Sequence, residues 1–120
     1  MKTSIAIIAG VMLALAANLV EAKDPTNTAV TGEVLDLGCY LEFGSSGAKH
    51  AACAKKCIAG GRPVGLKAND GRIYLLVGPA QALNTQLAPF AAKTVTVIGT
   101  LVHRDGISGI ENATLVNAPQ

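Results

Sequence analysis

Four residues in the first half of the chain have types and spacings that can do chemistry: Cys39, His50, Cys53 and Cys57. Cys53 follows His50 by three residues and Cys57 follows Cys53 by four, which places all three on one stripe of a helix. Cys39 falls at the end of an expected strand, before the loop that feeds that helix. Three thiolates and one imidazole make a full tetrahedral donor set for zinc and also suit cuprous copper. Thiolates crowded together repel one another, and a bound cation offsets that repulsion. His103 is an outlying candidate for an extra ligand, beside a turn in another hairpin.

Other uses of these residues compete with metal binding. A disulfide from Cys39 to Cys53 or to Cys57 would pin the first strand to the helix and contribute about 3 kcal/mol. The third cysteine would then pack as a small apolar side chain. A Cys53–Cys57 bond suits disulfide torsions poorly, because both side chains leave one helix in parallel. The stripe of His50, Cys53, Ala54, Cys57 and Ile58 also fits a plain core-facing helix surface. Thiol oxidoreductases carry two cysteines separated by two residues at a helix start, whereas Cys53 and Cys57 are separated by three. Covalent haem attachment needs a histidine directly after the second cysteine, and Ile58 stands there.

The elements that must position these residues follow from pattern. Residues 29–37 read as a first strand, broken at Gly38. Gly44-Ser45-Ser46-Gly47 reads as a turn, with Ser45 or Ser46 capping a helix over residues 48–59 that Gly60-Gly61 terminate. An extended segment over 63–67, the hairpin signal Asn69-Asp70-Gly71 and a strand over 72–77 come next. Residues 80–92 read as a short helix disturbed by Pro89. Strands over 93–102 and 107–116 flank the turn at Asp105-Gly106. The expected fold is mainly β with one or two short helices: a five-stranded OB-like Greek-key barrel with an inserted helix.

The ends and the composition bound the setting. Met1-Lys2-Thr3, an apolar run from Ile5 to Val20 and Val20-Glu21-Ala22 have the three parts of a secretory signal. Residues 1–22 are therefore expected to be a cleaved signal peptide, 23–28 a linker and 29–120 one domain. The apolar run is shorter than the about 20 residues of a spanning helix, and no later run is long enough, so no membrane span is expected after cleavage. Three cysteines, an odd number, in an exported chain mean that a disulfide framework alone leaves one sulfur over. The net charge of +2 gives no reason to expect a polyanion.

Several functions are excluded. A serine-hydrolase elbow and a phosphate-binding glycine loop are both missing, and no catalytic residue or organic cofactor is assigned. Nucleic-acid binding on such a barrel uses stacked aromatics in a basic groove. This chain offers only Tyr40, Phe43, Tyr74 and Phe90, and the last two read as core. Asn112-Ala113-Thr114 matches a glycosylation acceptor but falls inside an expected strand.

Gly32-Glu33-Val34-Leu35-Asp36, Cys39-Tyr40, the block from His50 to Cys57, Gly61-Arg62-Pro63-Val64-Gly65-Leu66 and Arg72-Ile73-Tyr74-Leu75-Leu76-Val77 together resemble a group of small bacterial exported proteins with an OB-like fold. The resemblance covers most of the chain after the signal. It implies that fold and a bacterial envelope setting, hence the periplasm, and it implies no reaction. The expectation is a periplasmic, non-enzymatic metal-binding barrel that uses Cys39, His50, Cys53 and Cys57 for zinc or copper, with the metal ion, and another envelope protein, as partners. A disulfide-held interaction module without metal stands as the alternative, and a thiol-redox protein stands third.

Overall fold

A computed structural model of the chain describes residues 28–78 and 80–120. The expected signal peptide and residues 23–27 of the expected linker lie outside the described residues. Thr28, the linker's last residue, already belongs to the first strand, β1 (Thr28–Asp36).

The chain is mainly β. After β1 come two short helices, α1 (Leu37–Phe43) and α2 (Ala51–Ala59), the latter entered through a 3-10 turn at Ala48–His50. Strands β2 (Val64–Ala68) and β3 (Ile73–Val77), helix α3 (Ala80–Leu87), a 3-10 turn (Ala88–Phe90) and strands β4 (Thr94–Arg104) and β5 (Ile107–Asn117) complete it. The strands pair in the order β1-β2-β3-β5-β4, and β4 returns to β1, closing the sheet into a barrel. Among the described strands β3 and β5 pair in parallel, and the other strand pairings are antiparallel. Asp105 (φ 49°) and Gly106 (φ 87°) form the two-residue turn between β4 and β5, as their types require.

β1 organises the molecule. Its first half pairs with β4 and its second half with β2, and Gly32 and Glu33 pair on both sides. Toward its end Val34, Leu35 and Asp36 are all buried. Alternation stops there because both faces are covered: the barrel interior lies on one side and the helices on the other. Val34 joins Leu66, Val95, Val97 and Ile110 in the core, together with Ala54 and Ile58 from α2 and Leu83 and Leu87 from α3. Each fully buried aliphatic side chain of this kind stabilises the fold by about 1.5–3 kcal/mol.

The structure differs from sequence expectation at the end of β1. Gly38 does not lead into a loop; residues 37–43 form α1, so Cys39 sits on a helix. The Asp36 carboxylate caps that helix, accepting from the Gly38 amide at 2.9 Å and the Cys39 amide at 3.4 Å. Gly44 closes it in the left-handed conformation (φ 66°), its amide donating to the carbonyls of Cys39 and Tyr40, the αL termination expected of glycine. Leu37 seats α1 on the barrel through its amide, which donates to the Pro63 carbonyl at 3.0 Å, and through its side chain. A Cβ at Gly65 would fall 2.6 Å from Leu37 Cδ2, so only glycine leaves room for that side chain.

The expected serine cap is also replaced. Gly47 precedes the 3-10 turn at φ 77°, ψ 178° without a side-chain cap, in a region open essentially to glycine alone. Its amide donates to the Glu33 carboxylate of β1, which ties the loop carrying His50 to the barrel. At the far end of α2, Asn84 donates from Nδ2 to the Ile58 carbonyl at 2.7 Å and the Arg62 carbonyl at 2.9 Å, tying α3 to the exit of α2.

Candidate metal centre

The insertion between β1 and β2 brings the predicted residues together. Donor atoms of Cys39, His50 and Cys53 lie within 4.8 Å of one another, and so do those of Asp36, Cys39 and Cys57. The four residues singled out by sequence thus fall into two triads that share Cys39, and the second recruits Asp36, which sequence reasoning treated only as a strand residue. A tetrahedral zinc with bonds of about 2.3 Å holds its sulfurs about 3.8 Å apart, so donors at this spacing need close by only about 1 Å. His103 belongs to neither triad; its Nδ1 shares a hydrogen bond of 3.0 Å with Ser108 Oγ on the β4–β5 hairpin.

The stripe on α2 splits according to what it faces. Ala54 and Ile58 enter the core, Cys57 is half-buried and Cys53 is exposed. The thiols point past the core edge toward α1, where Cys39 is buried. All three sulfurs are free thiols, with no disulfide among them.

Among the described residues, two buried polar atoms lack hydrogen-bond partners: Asp36 Oδ2 and His50 Nε2. A buried polar atom left without a partner costs about 1–3 kcal/mol. Both belong to the two triads, one to each. Asp36 is 1% exposed, and its other oxygen, Oδ1, is already engaged by two amides and by the Arg62 guanidinium, whose Nε lies 3.5 Å away.

Electrostatics couple the group. Burial pushes the Asp36 carboxyl up, but hydrogen bonding from the Cys39 and Cys57 thiols and from the Cys39 and Gly38 amides outweighs it and holds the group below its ordinary 3.8. The thiols act on the carboxylate as a whole, since Oδ2 itself finds no partner in regular hydrogen-bonding geometry. The Cys39 thiol is pushed up to about 12 by its hydrogen bond to Asp36, then by burial, then by the charges of Asp36, Cys57 and Cys53. Cys57 is also raised, first by burial and then by Asp36 and Cys53. Without a cation, then, Cys39 and Cys57 keep their protons around one carboxylate. A bound cation stabilises the thiolates and releases those protons.

The donor set is chemically apt for zinc: thiolate, imidazole and carboxylate are all ordinary ligands of that ion. The thiol–imidazole triad alone also suits cuprous copper.

Comparison with protein-family models, curated proteins and solved structures gives no match, so any functional reading rests on the chain's own residues. Among the described residues no helix is long and apolar enough to cross a membrane.

Proposed function

We propose that this chain is an exported, non-enzymatic metal-binding protein that holds zinc or copper through Cys39, His50, Cys53 and Cys57 on an OB-like barrel. The observation that carries the reading is the meeting of Cys39 from α1 with His50 and Cys53 from α2, donors within 4.8 Å of one another, beside a buried His50 nitrogen that has no hydrogen-bond partner. The strand order and the closing β4–β1 pairing support the OB-like assignment, with α1 and α2 as the insertion. The signal-like first 22 residues support export, and the periplasm is the compartment this reading assigns. The partners in this reading are the metal ion and another envelope protein that supplies or receives it.

Elemental analysis of the exported protein tests the reading. Zinc or copper should accompany the purified wild-type chain at no less than one ion per chain, and Cys39→Ser should lose it. Wild-type protein that carries no metal after export, and takes none up when zinc or cuprous copper is supplied to its reduced form, would refute it.

A disulfide is the second reading, favoured by the closeness of the Cys39 sulfur to Cys53 in one triad and to Cys57 in the other. Either pair needs its sulfurs drawn to about 2.05 Å. Such a bond would join α1 to α2 and leave one thiol.

A further inference from the structure

We propose that the insertion holds two zinc ions, one between Cys39, His50 and Cys53 and a second between Asp36, Cys39 and Cys57, with the Cys39 thiolate bridging them. The inference rests on the reading of the cluster as a metal centre and deepens it.

The placement of the donors argues for two positions. A single tetrahedral ion would want its four ligands mutually close, but the donors gather in two separate groups of three with only Cys39 in common. The two groups differ in burial. Cys53 is exposed and His50 half-buried, so the first position faces outward; Asp36 is fully buried and Cys57 half-buried, so the second lies beneath it. Asp36 Oδ2 is the independent sign of a ligand at the inner position, a buried carboxylate oxygen without a partner. Arg62 approaches the opposite oxygen, Oδ1, and leaves Oδ2 available.

Charge and donor type agree with this count. Three thiolates and one carboxylate carry four negative charges, which two divalent cations balance, with the imidazole neutral. A carboxylate ligand fits zinc and is foreign to cuprous copper, which selects soft donors. The inner position therefore selects the divalent ion.

Stoichiometry decides the matter. Reduced, metal-free protein is titrated with Zn(II) in competition with a chromophoric chelator. The wild type should take up two equivalents, and Asp36→Asn and Cys57→Ser one each. Co(II) added to Cys57→Ser should still give thiolate-to-cobalt charge-transfer absorption from Cys39 and Cys53, which separates loss of one position from loss of the fold. A single equivalent in the wild type, whether kept or lost in the variants, overturns the two-ion centre and leaves the simpler metal site standing. Two equivalents that persist in both variants place the second ion elsewhere and overturn it as well. No uptake by the wild type refutes both readings together.

Discussion

Asp36 and Cys39 meet twice: the Asp36 carboxylate accepts the Cys39 amide as the cap of α1, and a carboxylate oxygen lies within 4.8 Å of the Cys39 sulfur. One side chain therefore both starts the helix and sets the protonation of the cysteine that helix carries. The cap turns the Cys39 sulfur toward α2, because helix entry at Asp36 fixes where the first turn faces.

Asp36→Ala should remove the cap and destabilise the fold by about 1 kcal/mol, in the range for losing an acidic cap. Asp36→Asn should cost less, since asparagine caps equally well. Urea unfolding of metal-free protein compares the two, and an alanine variant as stable as the asparagine variant would contradict the capping role.

Thiol reactivity in the metal-free, reduced protein should follow burial and charge. Cys53 is exposed and should alkylate first; Cys39, buried and with its thiol at about 12, should alkylate last at pH 8. Mass spectrometry of partially alkylated protein reads the order. The same shift gives a pH dependence of stability. Because the folded thiol is raised above its ordinary 9.0, its contribution is full below pH 9 and is lost as pH rises toward about 12. Metal-free protein should therefore weaken through that alkaline window, and Cys39→Ser should weaken less.

Gly47→Ala should destabilise the protein by about 1–3 kcal/mol, because the backbone there lies in a region other residues pay strain to enter. It should also displace His50, three residues on, and lower metal affinity, whereas Gly71→Ala, strained in a different loop, should spare affinity. Zinc competition assays on the two variants make the comparison.

Asn84→Ala should leave the Ile58 and Arg62 carbonyls without their shared donor. The expected loss is about 1 kcal/mol for the lost hydrogen bonds, since the Ile58 carbonyl keeps the Gly61 amide and the Arg62 carbonyl is only part-buried, and chemical denaturation reads it. A change below 0.5 kcal/mol, the size of an ordinary surface substitution, would show that α3 does not brace the exit of α2.

Much of the architecture can be read from pattern. The five strands, the Asp105-Gly106 turn and the burial of Tyr74 follow from alternation, turn chemistry and β-favouring residues. That His50 and Cys53 face the same way follows from helical spacing; that Cys39 meets them does not. Helix α1 does not, because Gly38 interrupts it and Asp36 continues the strand pattern before it. Its two signals were an acidic cap at Asp36 and a glycine at Gly44, spaced as the ends of a two-turn helix. Asp36 as a site residue was hidden for the same reason: a polar residue in a strand reads as solvent-facing until the inserted helices cover that face. The partition of the cysteines between two triads depends on how α1 crosses α2, which local spacing does not encode.

The most direct test of the metal-centre account is a thiol count on native protein isolated without reductant, before and after a strong chelator, with the metal in the sample measured alongside. The account predicts that the thiols of Cys39, Cys53 and Cys57 are protected at first and that all three become reactive once the metal is removed. One reactive thiol with no metal, or three reactive thiols before any chelator is added, would contradict it.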